Sequence, residues 1–232
     1  MKKLIRQPAY LFLMLLFPAV LTLMFGLAFG DPEFGMDINN LVPGLISYAC
    51  IFIIMTIAQS FSAERQEGLL RRMNTTPMTA SEFMGSHIIT NMVIAILQVV
   101  EISILALLIG FRPDSGWEGV ILALPVAALF SLSSVGLGLI TATISKTPEA
   151  ATGVSFVFIL PQMFFGTFIP LTNTTRQIAA FIPSYYMVDA LTLIFRGDWT
   201  NPSILFDVGV ISIVSVIIVT IGILLFRKYG NI

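Results

Sequence analysis

Long stretches of this chain contain no charged residue. They include Gln7 to Gly30, Ile38 to Ala63 and Gly119 to Ser145. A helix needs about 20 consecutive apolar residues to cross the hydrocarbon core of a bilayer. Only 11% of the 232 residues are charged, whereas roughly 25% are charged in soluble domains. We therefore interpret the chain as an all-α integral membrane protein.

The apolar stretches predict six transmembrane helices in a single domain over residues 1–232. The first is an uncleaved helix over Gln7 to Gly30, since its apolar core exceeds the roughly 7–15 residues of a signal peptide. Small residues on the fourth suit close helix packing: Ser131, Ser134, Gly136 and Gly138. The remaining predicted spans are Ile38 to Ala63, Thr79 to about Gly110, Gly119 to Ser145, Ala150 to about Leu171 and Val208 to Phe226.

The segment from Thr172 to Phe206 is too apolar for a plain loop, yet helix breakers interrupt it. It also carries aromatic residues typical of a headgroup boundary. The breakers are Pro183, Gly197 and Pro202, and the aromatic residues are Tyr185, Tyr186 and Trp199. We expect two short re-entrant or interfacial helices before the last span, at Ile178 to Ile182 and Met187 to Phe195. A seventh span is disfavoured because Asp189 would lie at its centre.

The basic residues divide unevenly between the two sides that six spans define. Because short loops rich in Lys and Arg stay in the cytoplasm, we place both termini there, in a multi-pass protein of the plasma membrane. The formal net charge of -1 gives no reason to expect nucleic acid as a partner. Nine bases share the side of the termini and three lie opposite: Lys2, Lys3, Arg6, Arg65, Arg71, Arg72, Lys146, Arg227 and Lys228, against Arg112, Arg176 and Arg196.

The densest run of charge lies between the second and third spans, from Glu64 to Pro77. Glu64 to Arg72 consists mainly of good helix formers and predicts a short helix of about two turns. Pro77 ends it, and Thr79 to Glu82 forms a capping box for the third span. A charged helix held between two membrane helices is typical of a docking surface; the alternative is a solvated loop with internal ion pairs.

Sequence motifs for chemistry are lacking. No G-x-x-x-x-G-K-[ST] occurs, so we expect no nucleotide to bind through a P-loop. His87 and Cys50 are the only residues of their types, which excludes a His/Cys metal cluster and an intrachain disulfide. We therefore expect no catalytic, cofactor-binding or metal site on this chain, and we assign His87 no role.

Three groups of residues resemble a known family through their order and spacing. The first is Arg6-Gln7-Pro8 leading into Phe17-Pro18, and the second is Glu64-Arg65-x-x-Gly68-Leu69 followed by Arg71-Arg72 and Thr76-Pro77. The third is Phe165 to Leu171, followed by Pro183-Ser184-Tyr185-Tyr186 and Asp189-Ala190. Together, over nearly the whole chain, they resemble the permease subunits of type-2 ABC exporters. The chain is similar to the daunorubicin-resistance, drug-efflux type.

The resemblance implies that two permease copies pair within membrane lipid. We expect a homodimer, and a heterodimer remains open. Each would dock a separate ABC ATPase subunit, which carries the ATP and Mg, and the pair would export amphipathic drug-like or lipid-like compounds. The family pattern implies a coupling helix near Glu64 to Met73. Its implied contact residues are Glu64, Arg65, Glu67, Gly68, Leu69, Arg71, Arg72 and Pro77.

The chain departs from the family pattern in two places. The lead-in before the first apolar stretch is short, so an amphipathic N-terminal helix is expected to be shortened or missing. His87 stands where relatives often carry Lys after a Gly.

The candidates for a substrate path or a dimer seam are Glu101, Gln98, Phe165, Phe168 and Pro170. A charged carboxylate at the bilayer centre costs about 2.5–3.5 kcal/mol, so Glu101 should face protein or a water-filled cavity. It is either a hydrogen-bonded tie between helices or a wall of the path that attracts cationic amphiphiles. The aromatic candidates could equally be helix-end packing.

Two other function classes remain open. A secondary transporter needs ionisable groups along a path through the membrane, and only Glu101 lies clearly in the middle of a predicted span. A membrane assembly factor that transports nothing also fits the composition. A neighbouring gene that encodes a P-loop protein would favour the exporter.

Overall fold

The computed structural model describes residues 8–29, 38–68, 80–168 and 172–229, and every regular element in these ranges is a helix. A π-helical turn, Phe164–Phe168, continues α5. The helices are α1 Pro8–Phe29, α2 Ile38–Gln66, α3 Ala80–Ile109, α4 Gly116–Ile144, α5 Pro148–Met163, α6 Asn173–Ala179, α7 Pro183–Phe195 and α8 Pro202–Tyr229.

Five of the described helices are long and apolar enough to cross a membrane. They are α2 to α5 and α8, with α3 counted from Gly85 and α5 extended to Gly166. In α1 the apolar part whose side chains are described is shorter, Leu15–Ala28. An all-helical membrane protein is therefore confirmed, and the count of six spans stays a prediction.

Helix α2 forms the centre of the bundle. In its most apolar window 72% of the residues are buried, against 17% in α8. It packs against α1, α3, α4, α5, α7 and the π-turn. Outer helices leave apolar stripes uncovered, as on α3, where Ile89, Val93, Leu97, Val100, Ile104 and Leu108 are exposed at helical spacing. Such stripes suit contact with lipid, which is as apolar as they are.

Small residues bring α4 close to both of its main neighbours. A Cβ added at Gly136 would lie 2.8 Å from Ile218 Cγ2, and one at Gly222 would lie 2.8 Å from Gly136 O. Only hydrogen atoms fit between the two backbones there. The predicted role of the small residues of α4 in helix packing is confirmed, and Ser131 and Ser134 are also fully buried.

Two short helices precede the last span; the second contains the predicted Met187 to Phe195, whereas the first shares only Ile178 and Ala179 with the predicted Ile178 to Ile182. The first runs over Asn173–Ala179 because Thr172 forms a capping box with Thr175. The second begins at Pro183, a residue well suited to the first helical position. Helix α7 packs against α2, α4, α5, α8 and the π-turn. It is therefore in contact with most of the bundle, and its re-entrant or interfacial position stays a prediction.

Two predicted spans begin earlier in the structure, one by two residues and the other by six. The fifth span begins at Pro148, where Thr147 accepts a hydrogen bond from Ala150 N. The last span begins at Pro202, six residues before the predicted Val208. The sequence-based boundary had kept Asp207 out of the membrane helix, whereas the structure places it inside and buries it.

Candidate coupling site and substrate path

The charged stretch begins as part of α2. This helix continues through Gln66, so Glu64 and Arg65 belong to its last turn. Gly68 ends the helix with a φ of 69°, which glycine adopts without strain. A separate short helix starting at Glu64 is therefore wrong, because the second span is longer than its uncharged window. Leu69, Arg71, Arg72 and Pro77 lie outside the described residues.

Glu64 is buried at the junction of α2 and α3. Its side chain is 6% exposed, and its Oε2 atom lies 3.6 Å from His87 Nε2. The imidazole also packs on the Phe61 ring, with centroids 4.5 Å apart. Buried carboxylates need a paired charge or hydrogen bonds. His87, to which the sequence assigned no role, therefore belongs to the candidate coupling site.

Arg65 joins α2 to the turn between α4 and α5, and Gln59 joins it to the start of α5. The guanidinium of Arg65 donates to Ser145 O in that turn. One turn and a half earlier along α2, Gln59 Nε2 donates to Thr152 Oγ1 at 2.7 Å. The last two turns of α2 are thus held on one side by α3 and on the other by the α4–α5 turn. A force applied beyond Gly68 would act on all of these elements together.

Gln98 and Glu101 lie in the middle of α3, one helical turn apart. Gln98 is buried, and Glu101 is half-buried. No described group forms a hydrogen bond with Glu101 Oε2. Leu97 and Val100, next to them in the sequence, belong to the exposed stripe of α3. Glu101 therefore lies at the border between the face of α3 that packs on other helices and the exposed apolar stripe of α3.

The π-turn that carries Phe165 is the place where α5 meets α7. Ser184 Oγ donates to Gln162 O at 2.8 Å. A Cβ on Gly166 would lie 2.6 Å from Ser184 Cβ. Phe165 is half-buried here, whereas the Phe168 side chain and Pro170 lie outside the described part.

The structure does not bring the two halves of the predicted substrate path together. Helix α3 packs mainly against α1, α2 and α4, whereas the π-turn packs against α2, α5, α6 and α7. Only α2 is a main neighbour of both. Within one copy of the chain, α2 therefore lies between the helix that carries Glu101 and the turn that carries Phe165. A single path lined by both residues would have to include α2 in its wall.

A cavity of about 250 Å³ opens at the end of the bundle opposite the candidate coupling site. Asn39 Oδ1 accepts from Arg112 N at 2.9 Å, and Asn40 Oδ1 accepts from the Arg196 guanidinium at 3.3 Å. The Arg112 guanidinium donates to the carbonyls of Leu107 and Phe111 at the end of α3. These contacts fasten the α3–α4 turn and the end of α7 to the start of α2. Within the described ranges, no group of three or more His, Cys, Asp or Glu could hold a metal ion.

Comparison with known proteins gives a family match and two relatives. The model of the ABC-2 type transporter family matches residues 1–195. The daunorubicin resistance ABC transporter permease protein DrrB1 of Streptomyces coeruleorubidus is 23% identical over 160 residues, which cover 69% of this chain and 56% of that protein. The linearmycin resistance permease protein LnrN of Bacillus subtilis (strain 168) is 22% identical over 188 residues, covering 78% and 48%. The chain spans about half the length of these curated relatives.

Proposed function

Because the chain belongs to the ABC-2 type transporter family, we propose that it is the membrane-spanning permease subunit of an ATP-driven exporter. Two copies pair to form the substrate path, and each copy docks a separate ABC ATPase that binds ATP and Mg. The ATP-hydrolysing site belongs to that partner, since this sequence has no P-loop. The assembled complex lies in the plasma membrane, with both termini of this chain in the cytoplasm.

One observation carries the coupling part of the proposal. The end of α2 that leads into the charged stretch is fastened to α3 through Glu64 and His87, and to the α4–α5 turn through Arg65 and Ser145. Polar side chains that join helix ends in this way transmit a displacement instead of absorbing it. An ATPase that presses on the stretch after Gly68 would therefore move α2, α3 and the α4–α5 turn as one unit.

The burial of α2 extends that displacement through the bundle. Protein interiors are close-packed, so a helix with neighbours on all sides cannot shift without moving them. Helix α2 packs against six other elements, among them α7 at the opposite end. Its movement would change the packing around Gln98, Glu101 and the π-turn, the proposed wall of the substrate path or dimer seam.

We propose amphipathic drug-like or lipid-like compounds as the substrates. Two relatives carry names that state resistance to daunorubicin and to linearmycin, which supports efflux of such compounds. The candidate path residues on this chain are apolar, aromatic and amide side chains with one carboxyl group, Glu101. Such a lining recognises bulk apolar surface and leaves room for one cationic group.

Charge reversal in the coupling stretch tests the proposal. Arg71→Glu and Arg72→Glu together should leave membrane insertion intact and abolish association with the co-expressed P-loop ATPase, because a docking surface depends on its charge pattern. Arg176→Glu, at an exposed residue of α6 on the proposed external side, is the matched control and should retain association. Affinity capture of the ATPase from detergent extracts measures both.

Persistence of both ATPase capture and transport in the Arg71/Arg72 variant would place the coupling site elsewhere. Transport that continues after removal of the ATPase subunit would favour a secondary transporter instead. An intact pair of subunits with no transport activity for any compound tested would favour an assembly factor.

A further inference from the structure

The cavity at the start of α2 contains two arginines and an excess of positive charge. It lies among the first turn of α2, the α3–α4 turn and the end of α7, and both Arg112 and Arg196 line it. Among the described residues, neither guanidinium forms an ion pair. Asp114 is the one acid of the lining. The lining therefore has two cations and one anion, which favours an anionic ligand.

Each arginine keeps hydrogen-bond donors after its contacts within the protein. Arg112 donates only through its Nη1 atom, to the carbonyls of Leu107 and Phe111. Arg196 donates only through its Nη2 atom, to Asn40 Oδ1 at 3.3 Å. A guanidinium carries N–H groups on three nitrogens, so two nitrogens of each arginine donate to no described acceptor. The contacts already made restrict both side chains, and an anion that binds them has less disorder to remove.

The remaining lining and the volume of the cavity indicate the size of the ligand. The Thr192 hydroxyl is engaged, since it donates to Val188 O at 2.7 Å. Phe111 and Phe195 are buried and pack edge to face, with ring centroids 5.3 Å apart, which gives the cavity a rigid apolar wall. Its volume of about 250 Å³ is below the roughly 300–1,000 Å³ of sites for drug-sized molecules. The cavity therefore suits a small anionic group better than a whole amphiphile.

The position of the cavity favours a lipid headgroup as the source of that anion. The cavity lies at the ends of three candidate spans, α2, α3 and α4, where headgroups meet the hydrocarbon core. Trp117 and Trp199 lie close by in the sequence and are exposed, as expected of aromatic residues at a headgroup boundary. Leu108, one helical turn before Arg112, is 79% exposed at the end of the apolar stripe of α3. An acyl chain can pack on that stripe next to the cavity.

We propose that this cavity binds the phosphate of an anionic membrane lipid, which the guanidiniums of Arg112 and Arg196 hold. Guanidinium groups bind phosphate through paired N–H···O contacts. A headgroup with one negative charge neutralises the lining, whereas a zwitterionic phosphocholine headgroup leaves it positive. In the proposed orientation the lipid belongs to the outer leaflet. Neither ATP nor a partner subunit takes part, so the test of this site is independent of the proposed export function.

Asn40→Asp separates phosphate binding from a purely structural role of Arg196. Aspartate keeps the oxygen that accepts from Arg196 and adds a negative charge to the cavity. Without lipid, this variant should be at least as stable as the wild type, because an acid in the first turn of a helix is favourable. Arg196→Gln is the second variant, since its amide can still donate to Asn40 but has no charge. Arg176→Gln is the matched control, because it removes an exposed charge of α6 outside the lining.

Thermal melting of the purified full chain in an uncharged detergent, with increasing short-chain phosphatidylglycerol, measures the binding. A ligand that binds the folded chain raises its melting temperature. We expect a saturable rise for the wild type and for Arg176→Gln, and a clearly smaller rise with phosphatidylcholine of the same chain length. Asn40→Asp and Arg196→Gln should each need about tenfold more phosphatidylglycerol for half of the rise, because each weakens a charge-assisted contact to the phosphate.

Inorganic phosphate, titrated in the same way, distinguishes a lipid from a free anion, and an equal rise at equal concentration would overturn the lipid assignment. No saturable rise with phosphatidylglycerol would overturn the proposal and would leave the chain's own acids before α2 as counter-ions to test: Asp31, Glu33 and Asp37. A wild-type response in Asn40→Asp would leave the two arginines only their structural contacts. Failure of that variant to fold would also count against the proposal, because aspartate accepts from Arg196 at least as well as asparagine does.

Discussion

Adding one methyl group at Gly138 should destabilise the bundle. This residue lies on the face of α4 that packs against α2. A Cβ there would lie 2.6 Å from Ile57 Cβ and 2.8 Å from Ile54 O. Both of these atoms are part of the α2 backbone or directly attached to it, so neither can rotate away. Gly138→Ala therefore forces α2 and α4 apart.

The magnitude follows from two opposing effects. Overpacking of a close-packed interior costs about 1–3 kcal/mol, whereas the better helix propensity of alanine returns up to about 1 kcal/mol. We expect a net loss of about 1–2 kcal/mol in the free energy of unfolding, since the separation affects the span with the largest buried share among those described. Gly153→Ala on α5 is the matched control. Nothing lies within 4 Å of its added Cβ, so its stability should equal or slightly exceed that of the wild type.

Denaturant unfolding of the purified chain in detergent, followed by circular dichroism, measures both variants under the same conditions. A Gly138→Ala protein as stable as Gly153→Ala would refute the reasoning. It would mean that α2 and α4 do not approach each other as closely as the structure places them.

Two further substitutions address the candidate sites. Glu101→Gln should reduce the transport of cationic compounds more than that of neutral ones at equal expression. The reason is that Glu101 Oε2 has no described hydrogen-bond partner, as a tie between helices would require. Equal retention of both transport activities would leave only a structural role. His87→Phe keeps a ring against Phe61 but removes the imidazole nitrogen beside buried Glu64, which should lower the free energy of unfolding by about 1–3 kcal/mol. Adding Glu64→Gln should restore part of that loss, and no restoration would contradict the pairing.

Much of the fold could be predicted because a membrane segment is defined by local composition. Uncharged windows of about 20 residues predict spans whatever they pack against. The small residues of α4 indicate close packing for a similarly local reason, since only residues such as Gly136 and Gly138 let two helix backbones approach. The presence of short helices before the last span was predictable because Pro183 and Pro202 divide an apolar segment into pieces too short to span.

The errors have a common cause, which is that charge was taken to mark the end of a span. Glu64 and Arg65 were separated from the second span, and Asp207 from the last, because each follows or precedes an uncharged window. In the structure all three lie within helices, and Glu64 and Arg65 have partners distant in sequence, His87 and Ser145. Partners 23 and 80 residues apart leave no periodic signal in a single sequence.

Helix α2 connects the candidate coupling site to the opposite end of the bundle. At one end Glu64 and Arg65 fasten it to α3 and to the α4–α5 turn, and near the other end it packs directly against α7. Because protein interiors are close-packed and transmit strain, a displacement that enters after Gly68 reaches α7. Helix α7 packs in turn against α8. Under the proposed function, a push from the cytoplasm therefore reaches the contact between α7 and the last helix.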